Sequence, residues 1–108
     1  REESLKLSDL FIKMVGQMCP DVHVETPLNS SERGSQVSFS HPSGYAIMQA
    51  LIDRNIVGDF RAPNIIRFGI TPLYINDEDI VQTVKVLEEI LSNRLWDNPT
   101  YLNRKKVT

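Results

Sequence analysis

Leu7, Leu10, Phe11, Met14, Val15 and Met18 recur at three- and four-residue intervals. That spacing lays one apolar stripe along a helix. Pro20 ends it, because proline has no N–H to donate and its ring clashes with the preceding turn. The period then falls to two. In "VHVET" (22–26) Val22, Val24 and Thr26 share one face and His23 and Glu25 the other, which predicts a strand closed by Pro27. "LNSSERG" (28–34) is loop chemistry. "SQVSFS" (35–40) alternates again, with Val37 and Phe39 inward and Gln36, Ser38 and Ser40 outward.

"HPSGYAIMQALIDRN" (41–55) opens a second helix at Pro42 or Ser43, with Ile47, Met48, Leu51 and Ile52 as its buried side. Asn55 is suited to a left-handed stop. "IVGDF" (56–60) reads as a short strand, "RAPN" (61–64) as a turn, and "IIRFGI" (65–70) as a further strand ended by Thr71-Pro72. Asn76 then caps a long helix whose first turn carries Asp77, Glu78 and Asp79, with Ile80, Val84, Leu87 and Leu91 as its apolar face. The tail "WDNPTYLNRKKVT" (96–108) has no period and reads as loop or frayed chain. This order predicts an α+β fold, a small, mostly antiparallel sheet of about 3–4 strands covered by helices on one face. With no repeat or linker, residues 1–95 are expected to form one domain and 96–108 a tail.

Composition narrows the function classes. The chain has 108 residues, 41% hydrophobic and 24% charged, as a single globular domain should. A net charge of −2 gives no basic footprint, so no nucleic-acid partner is expected. No run approaches the roughly 18 apolar residues of a membrane span, so no membrane partner is expected either. Cys19 is the one cysteine, which excludes an internal disulfide and makes a cytoplasmic, reducing compartment the expectation. The chain opens on Arg1, in sequence that already reads as helix, and is expected to be an excerpt of a longer polypeptide.

Most candidate chemistry is weak. Cys19, His23 and His41 have no zinc-site spacing, and His41, at a strand-to-helix junction, suits capping or packing. No nucleophile elbow or phosphate loop occurs. Asp77, Glu78 and Asp79 suit a helix N-terminus better than catalysis. Of the five lysines, Lys6, Lys13 and Lys85 fall off the apolar stripes and Lys105 and Lys106 lie in the tail; none has the desolvated setting of a Schiff-base lysine.

Arg67 stands apart. Alternation places Ile66, Phe68 and Ile70 on one face of the strand and Ile65, Arg67 and Gly69 on the other. Gly69 leaves room beside a guanidinium that can hold a carboxylate through two parallel hydrogen bonds. Three readings stay open: a solvated sheet-face arginine, a partner for an internal acid such as Asp59, or a ligand anchor. Arg61 is a second, weaker candidate.

"RGSQVSF" (33–39), "HPSGYAIMQALIDRNIVGDFRAPNIIRFGITPLY" (41–74) and the helix after it resemble the C-terminal part of the kynureninase family, most specifically in "DFRAPNIIRFGITPLY" (59–74). The resemblance covers most of residues 33–91; the first helix also fits, and the tail after Trp96 adds nothing. It implies the small domain of a pyridoxal 5'-phosphate (PLP) enzyme of the aspartate-aminotransferase fold type. Such an enzyme hydrolyses the Cβ–Cγ bond of L-kynurenine to anthranilate and L-alanine in tryptophan catabolism, as a homodimer. The family's carboxylate-binding arginine matches Arg67, with Phe68, Gly69, Pro72, Leu73 and Tyr74 in place. No lysine here matches the cofactor lysine, so the cofactor is expected mainly on a large domain outside these residues. The alternatives are the C-terminal domain of a cysteine desulfurase or aminotransferase of the same fold, a free-standing amino-acid-binding regulatory module, or an interaction domain without ligand.

Overall fold

The computed structural model of the chain describes residues 2–26, 36–69 and 76–102. Its elements are α1 (Glu2–Met18), β1 (His23–Val24), β2 (Gln36–Ser40), α2 (Gly44–Asp53), β3 (Asp59–Arg61), β4 (Ile65–Gly69), α3 (Asp77–Ser92) and α4 (Pro99–Leu102). The strands form one sheet in the order β1-β2-β4-β3, with every neighbouring pair antiparallel. Val37 faces Phe68 and Phe39 faces Ile66 across the β2–β4 ladder, while Phe60 faces Ile66 across β3–β4. Because side chains alternate across a pleat, these residues share one face. Gln36, Ser38, Ser40, Ile65, Arg67, Gly69 and Asp59 share the other.

The apolar face carries the core. The Phe11 ring of α1 lies 5.4 Å from that of Phe39 and 5.0 Å from that of Phe68, both tilted, and Phe39 and Phe68 meet edge-on at 6.0 Å. Tilted and edge-on pairs bring the positive ring edge to the negative ring face. From α2, Ile47, Met48 and Leu51 are fully buried, and Tyr45 meets Phe60 edge-on at 5.5 Å. α3 packs on both α1 and α2 through Ile80, Val84, Leu87 and Ile90. The α+β fold with helices on one sheet face is therefore as expected.

Several boundaries differ from the sequence reading. β1 is two residues long, although the alternation over 22–26 holds: Val22 and Thr26 are buried and His23 and Glu25 exposed. The ladder stops because the N–H groups of both Glu25 and Thr26 turn to the Ser38 carbonyl, while the Thr26 hydroxyl accepts from the Ser38 N–H. Asn55 is left-handed (φ 67) as expected. It turns the Ile56 N–H back to the Leu51 carbonyl and leaves Val57 89% exposed, so β3 begins only at Asp59 and takes in Arg61. Ile52 is not part of the buried side of α2, being 46% exposed. At 100° per residue it lies about 140° round the helix from Ile47, beyond the apolar stripe. On α3, Ile90 is buried and Leu91 half-buried, since a helix packed on two others buries more than one narrow stripe.

The tail corrects a further expectation. Through Leu102 it is anchored and carries α4, a four-residue helix too short to show any period. Arg94 turns the chain with a left-handed backbone (φ 51) and stacks 4.8 Å over the Trp96 ring, which meets His41 edge-on. α4 then packs on α2, and the Tyr101 hydroxyl donates to the Asp53 carboxylate at 2.7 Å. Pro27, the loop 28–34, Ile70, Thr71, Pro72, Leu73, Tyr74 and the stretch 103–108 with Lys105 and Lys106 lie outside the described residues.

Asn76 caps α3 as expected. Its side-chain oxygen accepts from the Asp79 N–H and the Asp79 carboxylate accepts from the Asn76 N–H, both at 3.0 Å. Two N–H groups of the first turn, which has no intrahelical partner for them, are thus satisfied reciprocally. Asn76→Ala is expected to destabilise the domain by about 1 kcal/mol, read as faster hydrogen exchange at the first α3 amides.

Candidate functional site

β4 is an interior strand, paired with β2 on one side and β3 on the other, and Arg67 stands at its middle. Its neighbours burying into the core, Ile66 at 0% and Phe68 at 2% exposure, point the guanidinium to the opposite, polar face. Across the ladders Arg67 faces Ser38 on β2 and Asp59 on β3. Two positions along, a Cβ added to Gly69 would meet nothing within 4 Å among the described residues. No described side chain fills the space expected beside the arginine.

The internal acid is present. Arg67 Nε donates to Asp59 Oδ1 at 2.7 Å and Nη2 to Oδ2 at 2.6 Å. This is the two-pronged geometry in which a guanidinium fork matches a carboxylate. The Arg67 side chain is 20% exposed and that of Asp59 53%, so solvent reaches the pair mainly from the aspartate side. The hydrogen bond from Arg67 holds the Asp59 carboxyl below its ordinary range, and the same bond raises the guanidinium above its own. A carboxyl whose folded value is depressed contributes its pairing above the ordinary carboxylate range. That contribution is lost as pH falls through the lowered value, so at neutral pH the pair is intact.

The backbone fixes this pair. A Cβ on Gly58 would lie 2.7 Å from the Arg67 carbonyl oxygen and 2.9 Å from Met48 Cε. Only a residue without a side chain lets β3 approach β4 this closely just before Asp59. Symmetry about the turn is the sequence signal for the pairing. A hairpin centred on Pro63 sets Arg61 against Ile65 and Asp59 against Arg67. The tight approach at Gly58 has no local signal, because it depends on Met48 from another element.

The remaining candidates resolve into structure. His41 is half-buried, its Nδ1 accepting from the Ser43 N–H at 2.9 Å, and burial lowers its pKa. This is the capping and packing role. Cys19 is buried, its thiol pushed up to about 11 by burial and by nearby Glu88 and Asp21, which leaves it inert as a nucleophile. His23 and Arg61 are exposed, and the described residues hold no metal-binding cluster. Lys6, Lys13 and Lys85 are exposed on α1 and α3, outside the sheet face that bears Arg67. None of them suits a covalent cofactor bond, so the described residues do not fit a complete PLP site. No helix among them is long and apolar enough to cross a membrane.

The four-stranded sheet with helices on one face and a carboxylate-binding fork on the other defines an α+β small domain. It matches the fold of a NifS-like protein with a TM-score of 0.73, at 23% identity, over 85% of this chain and 28% of that one. Residues 1–87 match the family model described as Kynureninase C-terminal domain. The chain is 46% identical to the kynureninase of Pseudomonas fluorescens and 44% identical to that of Burkholderia mallei (strain SAVP1), in each case over 110 aligned positions. The chain belongs to the kynureninase C-terminal domain family. The matches take in 100% of the chain and 26% of each relative, so it spans about a quarter of the length of the curated relatives it matches.

Proposed function

We propose that this domain supplies the substrate α-carboxylate anchor of a PLP-dependent kynureninase, with Arg67 as the anchor and Gly69 as the gap that admits the ligand. The full-length protein hydrolyses the Cβ–Cγ bond of L-kynurenine to anthranilate and L-alanine, in the cytoplasm and as a homodimer. The observation that carries the reading is the placement of Arg67. A guanidinium on an interior strand, aimed away from the core, lies beside a glycine position that no described side chain fills.

Anchoring the carboxylate fixes the amino acid's rotation about Cα, and so decides which bond stands ready to break. Three of the five guanidinium N–H groups have no partner among the described residues, so donors remain for a second carboxylate. On this reading PLP is bound mainly by a large domain outside the described residues, and Lys6, Lys13 and Lys85, all exposed, take no part in holding it.

The test is a substrate comparison on the full-length protein. Anthranilate release from L-kynurenine is expected, with far slower turnover of cysteine or alanine. Preferred turnover of cysteine would make this the small domain of a desulfurase instead. Calorimetry on the isolated chain is expected to show no amino-acid binding; micromolar binding would favour a free-standing regulatory module.

A further inference from the structure

Asp59 occupies one edge of the guanidinium through Nε and Nη2, and the proposed function does not use it. We propose that Asp59 is a positioning residue, which holds Arg67 by its Nε–Nη2 edge so that the Nη1 end is presented to the ligand's α-carboxylate. The proposal rests on the reading of Arg67 as the carboxylate anchor.

Three observations support it. The pair is set by strand register, since Asp59 and Arg67 are direct partners on β3 and β4, so the carboxylate is delivered by backbone geometry rather than by a mobile loop. The strands approach closely beside the pair, because Gly58 lies against the Arg67 carbonyl with no room for a methyl group. The bond pattern also spends only one edge of a planar group that can engage a carboxylate along more than one. With the Nε edge tied, the long side chain gives up its rotameric freedom before the ligand arrives, and binding no longer bears that cost.

The competing role for Asp59 is that of a stand-in: an internal carboxylate on the ligand's own donors, which must leave before binding. The two roles predict opposite signs. A stand-in, once removed, frees the arginine and tightens binding. A positioning residue, once removed, lets the guanidinium wander and weakens it. Charge alone would also favour tighter binding, since loss of an anion raises the positive potential at the site. A weakened affinity therefore reports geometry.

The experiment uses the full-length holoenzyme with two probes, L-kynurenine as substrate and kynuramine, its analogue lacking the α-carboxylate, as competitive inhibitor. Asp59→Ala is expected to raise KM for L-kynurenine by on the order of 10-fold. kcat should change less, and the inhibition constant of kynuramine should be unchanged. Asp59→Asn, which keeps one acceptor oxygen without the charge, is expected to fall between. An unchanged or lowered KM in both variants overturns the proposal in favour of the stand-in or of no role. Equal weakening of both probes also overturns it, because that is the signature of general damage to the domain. Arg67→Ala separates the two readings. If it leaves the preference for the carboxylate-bearing probe intact, the anchor reading itself fails, and with it the role of Asp59. If it abolishes that preference while Asp59→Ala keeps it, only the role of Asp59 fails.

Discussion

Arg67→Ala in the full-length protein is expected to lower kcat/KM for L-kynurenine by on the order of 10²-fold or more. Two effects add. With Arg67 as the proposed anchor, the ligand loses a two-pronged, charge-assisted contact and with it the orientation of its reacting bonds. It also meets Asp59, whose carboxylate is neutralised by Arg67 in the intact protein and stands uncompensated in the variant. A carboxylate ligand approaching an unpaired carboxylate is repelled, so the variant is worse than a site with both residues absent. The double variant Arg67→Ala/Asp59→Ala should therefore recover part of the loss. Arg67→Lys is expected to recover part as well, because an ammonium restores charge without the planar fork. Steady-state kinetics of anthranilate release checks all three, and near-wild-type kcat/KM in Arg67→Ala would remove the assignment.

The second large effect concerns the layer beneath. Phe39 is fully buried and touches both Phe11 of α1 and Phe68 of β4. Truncation of such a ring costs about 3–5 kcal/mol, through lost burial and the cavity left behind. That is a large part of the roughly 5–15 kcal/mol that holds a domain together. Phe39→Ala is expected to speed hydrogen exchange at the paired β2 and β4 amides by on the order of 10² to 10³-fold in the full-length protein. Phe68 follows Arg67 directly, so loosening of this cluster should also blur the arginine's position and raise KM. Protection factors equal to wild type would show that the three rings are not the keystone of the sheet.

The parts of this fold that could be read from sequence are those whose burial repeats with the period of their own element. The α1 stripe from Leu7 to Val15, the α3 stripe from Ile80 to Leu87, the alternation in β2 and β4, the Asn76 cap and the Asn55 turn are local patterns, and the structure has them. Met18, expected on the α1 stripe, is instead 38% exposed at the helix end. The misread parts depend on something distant. β3 starts late because Asn55 turns the chain away first, and α4 packs on α2, with Tyr101 bonded to Asp53, 48 residues earlier. The site divides in the same way. The outward face of Arg67 follows from alternation alone, and the Asp59 pairing was one of several readings that periodicity left open. Its selection follows from the hairpin register. The need for glycine at position 58 was not legible, because its crowding comes partly from Met48 on α2.

Arg67 lies on a strand flanked on both sides, whereas Asp59 lies on the outermost strand. Backbone change at β4 must be accommodated by two ladders at once, but among the described residues β3 has a neighbour on one side only. Natural drift or directed evolution can therefore reshape the β3 hairpin more freely than the strand carrying the arginine. If Arg67 is the carboxylate anchor proposed above, the anchoring group would stay constant, while its presentation could be retuned for amino acids of different bulk through Gly58, Asp59 and the turn that follows.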